Sequence, residues 1–332
     1  MSARPDEAAL DPDLRIVDAH HHLYDRPGVR YLADELIADL ERGHRVEATV
    51  YVQARTGYRT GGPEAFRPVG ETEYASEIAR TRSRGFALCA AIVGFADLTA
   101  GASAQAVLEA HIAADPLRCR GVRQISCWDP DPSLVNPVYP AAPDMLSDTR
   151  FREGFAALGK LGLTFDAWLY FHQIPHLTAL ARTYPETGVV IDHCGGVLGV
   201  GRYEATPDEV RGRWAANMRD LARCPNVYVK LGGLGMAISG FGFDRNPETA
   251  GSEALVRAWK PWMEPLIEWF GPGRCMFESN FPADRISYGY VSGWNAFKRI
   301  AASASEDDKA DLFRNTASRF YRLGSQAPVA SS

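Results

Sequence analysis

The 332 residues predict a single (β/α)8 barrel, and three observations carry that expectation. A short β-rich run followed by a helical stretch recurs eight times along the chain, which favours a parallel barrel over a doubly wound sheet. The third run, FALCAAIVGF, is apolar throughout, as a strand covered on both faces must be. No linker, repeat or low-complexity tract breaks the chain between residues 14 and 323, so one domain is expected there.

In order, the expected strands are 15–22, 46–53, 87–95, 119–126, 163–171, 188–194, 226–232 and 274–280. The helices between and after them fall near 31–43, 71–84, 103–115, 148–161, 174–184, 206–224, 251–270 and 289–303, with a further C-terminal helix at 306–322. Residues 1–13 and 324–332 read as flexible ends. Three segments that follow strands 4, 6 and 7, namely 127–147, 195–205 and 233–250, exceed ordinary loop length. They lie on the side where barrels carry their sites and are expected to form walls or a lid. The first, CWDPDPSLVNPVYPAAPDMLS, is too rich in Pro to be a continuous helix and brings Trp128 forward as a substrate contact.

Composition narrows the partners. A net charge of −5, a pI near 5.9 and scattered Lys and Arg leave no footprint for nucleic acid or an anionic membrane surface. A small molecule is the expected partner. Six widely spaced cysteines form no CxxC pair, which argues for a reducing compartment and against a disulfide framework. The polar N-terminus has no apolar signal core, and the expectation is a cytoplasmic protein. Trp259, Trp262 and Trp269 recur at helical spacing as core or as subunit contact, which leaves a homo-oligomer open. His44 and His111 are expected at the surface of helices.

Strand side chains alternate faces with a period of two. In RIVDAHHHLYD this puts Asp18, His20 and His22 on one face and His21 on the other, so His20 and His22 can reach one metal ion. The same counting groups Gln53 with Glu47, Thr49 and Tyr51, and sets Arg123 opposite Val122 and Gln124. It places Asp166, Trp168, Tyr170 and His172 together, separates Lys230 from Val229 and Leu231, and pairs Glu278 with Asn280. The aliphatic sets are expected to face the helices and the polar sets the barrel mouth. Lys230 reads equally as a substrate anchor or as a structural partner for Asp18 or Glu278. Asp192, opposite His193, reads as a backbone tie.

The runs IVDAHHHLYD, GVRQIS, GLTFDAWL, VVIDHCGG, NVYVKLGGL and FESNFP, in this order, resemble the amidohydrolase-related family, particularly its branch with sugar lactonases and 2-pyrone-4,6-dicarboxylate lactonase. The resemblance spans about residues 14–323. It implies that His20 and His22, with His172, form a metal or substrate-oxygen site. It further implies that His193 orients a carbonyl or a water, and that Arg123 grips an anionic group through its planar fork. One position departs from the pattern: the carboxylate expected two residues before Pro282 is Asn280. Asparagine cannot accept a proton from water as a carboxylate can, so Glu278 on the same face, or Asp284 beyond the strand, is expected to supply the base.

The expected activity is therefore hydrolysis of a lactone or related carbonyl ester of a small, anionic organic acid. The water would be activated by zinc or manganese on the histidines, or without metal by a carboxylate base. Two alternatives stay open: a metal-dependent decarboxylase, hydratase or oxygenase, and a catalytically silent barrel subunit.

Overall fold

The computed structural model describes residues 6–324; residues 1–5 and the tail from 325 lie outside the described residues. Eight parallel strands are ordered in space as in sequence: β1 (Arg15–His21), β2 (Arg45–Val52), β3 (Ala87–Gly94), β4 (Cys119–Ile125), β5 (Thr164–Trp168), β6 (Val189–Ile191), β7 (Val227–Leu231) and β8 (Cys275–Phe277). The first and last strands meet just past their regular pairing. His21 bridges Phe281, Asn280 N donates to His20 O (2.9 Å) and His22 N donates to Phe281 O (2.7 Å). The segments starting at Arg15 and Arg274 therefore close the barrel.

Helices follow the strands: α1 (Ala33–Leu40), α2 (Val69–Thr81), α3 (Ala104–Ala114), α4 (Thr149–Leu161), α5 (Ile174–Thr183), α6 (Pro207–Leu221), α7 (Ser252–Phe270) and α8 (Tyr290–Ile300). Their ends follow local chemistry. Asp148 caps α4 through Phe151 N, Gly162 ends it in a left-handed conformation, and Pro207 opens α6. A last helical segment, Glu306–Phe320, contains a wide turn at Asp311–Asn315. It sends Phe320 and Tyr321 against the inner strand residues Val17, Ala48, Val190 and Met276, plugging the barrel. Residues 6–11 are not loose: Lys298 Nζ donates to Leu10 O and Asp11 O, and Asn295 Nδ2 to Glu7 and Ala8 O.

The interior does not follow the simple rule of aliphatics out and polars in. On β2 it is Ala48, Val50 and Val52 that fill the barrel, while Val46 and Tyr51 pack against helices. On β1, Val17 and Ala19 face inward and Asp18 faces out, accepting from Tyr290 OH (3.0 Å) of α8. The inward set changes phase after Ala19. Asp18 pairs with Thr49 and His21 with Tyr51, three residues of β1 against two of β2, which is a β-bulge. The extra residue turns His20 and His22 inward and sets His21 in the wall, edge-on to the outward Tyr51 ring (5.7 Å).

All six cysteines are free and buried. Trp259 is core, against Tyr288 and Phe297, and Trp262 and Trp269 stack around the buried Trp214. His44 and His111 are not surface residues. His44 sits between Lys298 Nζ (2.9 Å) and Val291 O, and His111 between Thr72 and Phe95 O, both with ring pKa values lowered by burial to about 4. No described helix is long and apolar enough to cross a membrane.

Candidate active site

Where the strands end, the chain turns sharply and the glycine pairs of the sequence find their reason. After β6, His193 and Cys194 adopt φ of 55° and 52°, left-handed values rare for residues with a Cβ, and Gly195 and Gly196 continue the turn. Across from it, a Cβ on Gly232 would stand 2.3 Å from Glu278 Cγ, and one on Gly233 2.4 Å from His193 Cβ. Two glycines after β7 thus let Glu278 and His193 meet.

They meet as a dyad. Glu278 Oε1 accepts from His193 Nδ1 (2.7 Å) and from His193 N (3.1 Å), while Oε2 lies 3.0 Å from His20 Nδ1. Burial pushes the Glu278 carboxyl up, but His193 and His20 outweigh it and hold it down at about 2. So deep a carboxylate is a poor proton acceptor and a good orienter. Among the described residues, no hydrogen bond engages His193 Nε2.

His22 Nδ1 lies 2.8 Å from Val52 O, a carbonyl that can only accept, so that nitrogen carries the proton and Nε2 keeps its lone pair. His20 Nε2 stands 3.2 Å from it. Burial, joined by Lys230 for His20 and by Arg123 for His22, drives both rings well below the usual histidine range and keeps them neutral. Two neutral imidazoles with Nε2 atoms at this separation match two ligands on one tetrahedral ion, since Zn–N bonds of about 2.0–2.1 Å span roughly this distance. Asp192 and His193 complete a cluster with His20 whose ligand atoms all lie within 4.8 Å of one another.

Beneath the histidines is a buried ion network. Lys230 Nζ pairs with Asp166 (2.6 Å) and Asp192 (3.1 Å) and reaches His20 Nδ1 (2.9 Å); Tyr321 OH donates to Asp166 from the C-terminal plug. Burial opposes the Lys230 charge, but Asp166 and Asp192 raise its pKa. Arg123 donates to Gln53 O (2.6 Å), approaches His20 Nε2 (3.3 Å) and stands 3.8 Å from Asp192. Asp192 is therefore no backbone tie: like Val190 it points inward, which counting by two from the outward Val189 and Ile191 would have revealed. Several buried polar atoms here lack hydrogen-bond partners, among them Gln53 Nε2, Arg123 Nε and Asn280 Oδ1. Such groups cost free energy unless a ligand, ion or water engages them, and their concentration at one place is the mark of a site.

The other candidates sit around this centre. Gln53 accepts from Tyr139 OH (3.2 Å) on the long loop after β4, and Trp168 meets the His193 ring edge-on (4.6 Å). Trp128 is half-buried at the base of that loop, with its backbone N–H donating to Gln173. His172 lies past the end of β5, where strand parity no longer applies. Its Nε2 meets Asp129 (3.0 Å) beside Tyr203, in a clasp between three loops, and it does not join the His20 cluster. Asn280, at φ 51°, donates Nδ2–H to Asp284 (2.8 Å) and leaves its Oδ1 without a partner; Asp284 also accepts from Gly235 N and Tyr288 OH, and burial raises its pKa to about 7.

The amidohydrolase family profile matches residues 17–323. An L-fucono-1,5-lactonase from Burkholderia ambifaria is 28% identical, covering 92% of this chain and 95% of its own, and an uncharacterized protein from Sinorhizobium fredii is 29% identical over 94% and 99%. An amidohydrolase from Burkholderia multivorans, solved with bound zinc, superposes with a TM-score of 0.72 at 25% identity, covering 93% of this chain and 99% of its own. Eight strands in one barrel, histidines re-aimed by a bulge onto a carboxylate-held centre, and a profile spanning nearly the whole chain lead to one conclusion: this chain belongs to the amidohydrolase family.

Proposed function

We propose that the protein hydrolyses a lactone of a small, anionic organic acid. The observation that carries this reading is the His193–Glu278 dyad, an imidazole tied through Nδ1 to a deeply ionised carboxylate with Nε2 left for chemistry. In this reading His193 Nε2 takes a proton from water as the water oxygen attacks the lactone carbonyl carbon. The ring C–O bond then breaks and the proton passes to the leaving alkoxide. Glu278 holds the working tautomer and stabilises the imidazolium between these steps. Arg123, with Gln53 and Trp128 at the rim, receives the anionic part of the substrate, and Lys230 keeps Asp192 and Asp166 compensated below it.

His20 and His22 are the residues that would hold a divalent ion, zinc or manganese, with Asp192 and His193 in reach. Such an ion acts as a Lewis acid on a carbonyl. The support for the hydrolytic reading also includes the lactonase relatives. Asn280 favours a second reading, decarboxylation or hydration, because the strand-eight position that resembles the family's base cannot take a proton. The test is turnover of a panel of aldonolactones and carboxylated lactones against aromatic carboxylic acids, with metal content measured on the same sample. Turnover of lactones and not of acids supports the proposal; the reverse overturns it in favour of the second reading. No turnover of either would point to a silent barrel.

A further inference from the structure

Glu71 is a fully buried carboxyl on α2 that touches none of the histidines or carboxylates of the site, yet one of its oxygens gathers three donors. Oε1 accepts from Tyr51 OH (2.7 Å), Ala54 N (2.6 Å) and Thr56 N (3.0 Å), while Oε2 has no hydrogen-bond partner. Backbone N–H groups two residues apart that converge on one oxygen form an anion-binding concavity. The residue between them is forced into the left-handed region, and Arg55 has φ 64°. A non-glycine residue is strained there, and the bonds to Glu71 hold it in place.

The turn so fixed is tied on both sides to groups beside the site. The preceding carbonyl, Gln53 O, holds Arg123, and Thr56 Oγ1 donates to Leu23 O next to His22. Arg55 itself is exposed and has no carboxylate partner among the described residues. Its guanidinium donates to Val138 O (3.2 Å) and lies 5.8 Å and 5.9 Å from the Tyr58 and Tyr139 rings. Tyr139 in turn donates to Gln53. An uncompensated guanidinium, backed by aromatic rings one residue pair from Gln53, suits an anionic group on the outer end of a substrate.

We propose that Arg55 is a specificity-determining residue that reads a distal carboxylate of the substrate, and that Glu71 is the positioning residue that holds it there. This rests on the hydrolase reading for its kinetic assay but not for its binding assay. The probes are 2-pyrone-4,6-dicarboxylate, a charged lactone, and L-fucono-1,5-lactone, an uncharged one. Arg55→Ala lowers the discrimination between them, as the ratio of their KM values and of their Kd values by calorimetry, about tenfold. Glu71→Ala lowers it equally without a matching loss in kcat, the double variant is no worse than Arg55→Ala, and Glu71→Gln, which keeps an acceptor oxygen, restores it. The Ala54 and Thr56 amides of the unmodified protein exchange hydrogen as slowly as the barrel strands. Effects of Arg55→Ala and Glu71→Ala that multiply, an Arg55→Ala ratio unchanged, or rapid exchange at those amides would each overturn the proposal. Arg55-dependent binding without turnover of either lactone would overturn the hydrolase reading instead and leave this one standing.

Discussion

Replacing Glu278 by Gln keeps the side chain's shape and removes one charge. Three contacts weaken: His193 Nδ1 and His193 N on one oxygen, and His20 Nδ1 at 3.0 Å from the other. A charge-assisted bond is about twice as strong as a neutral one, so each of the two bonds from His193 loses roughly 1 kcal/mol, about 2 kcal/mol together. If that loss falls on the imidazolium formed at His193, the rate drops about 30-fold. A second effect adds to it. An amide, unlike a carboxylate, can present its NH2 instead of its oxygen to His193 Nδ1, which forces the proton onto His193 Nε2 and closes the lone pair that is to take a proton from water. That outcome resembles the loss of a working tautomer, which costs up to about 10⁴-fold in kcat. Glu278→Gln is therefore expected to lower kcat by about 30- to 10⁴-fold, with KM nearly unchanged, and to weaken zinc binding about 10- to 100-fold, as loss of an outer-shell partner does. Steady-state kinetics with the best lactone and a zinc competition titration check it. A kcat within threefold of the unmodified enzyme and unaltered zinc affinity would refute the dyad and pass the role of base to Asp284.

His20→Ala and His22→Ala should each abolish stoichiometric zinc or manganese by elemental analysis and leave the far-UV spectrum unchanged, whereas His172→Ala, whose ring is paired with Asp129, should retain the metal. Asn280→Asp should not restore an ordinary base. It sets a carboxylate where Nδ2 now lies 2.8 Å from Asp284 Oδ1, so the pair shares a proton and the variant loses about 1–3 kcal/mol at pH 8 and less at pH 5, measured by urea unfolding. Asp284→Asn tests the pH dependence. Burial raises Asp284 from an ordinary 3.8 to about 7, so between those values the native state holds a proton that the unfolded state has lost, and stability falls as pH rises. Relative to the unmodified protein, the Asn variant should gain about 2 kcal/mol between pH 5 and pH 8, with no further gain above about pH 7; a difference independent of pH would refute it.

How far the site was legible in the sequence depends on where strand parity holds. On β4, β5 and β7 the period of two places Arg123, Asp166 and Lys230 inward without error, because regular pairing fixes every side chain's face, and the same count still holds for Glu278, one residue past β8. On β1 the same rule gives the correct answer for His20 and His22 through a wrong premise. It groups them with Asp18, which faces out to Tyr290, and one extra residue in the ladder corrects the phase between them. A bulge leaves no signature in RIVDAHHH beyond the histidines it aims, so it could not be read there. Past the strand ends the rule lapses. His172 counts with Asp166 by parity and yet joins Asp129 on a loop, and Asn280 counts with Glu278 and yet turns to Asp284 at a left-handed φ. Glu71 was hidden for another reason: on a helix a lone Glu reads as solvated, and nothing local reveals that two backbone amides of a distant turn close on it. What the sequence carried well was therefore the chemistry placed on strands. The chemistry placed on turns depends on contacts between segments far apart in the chain.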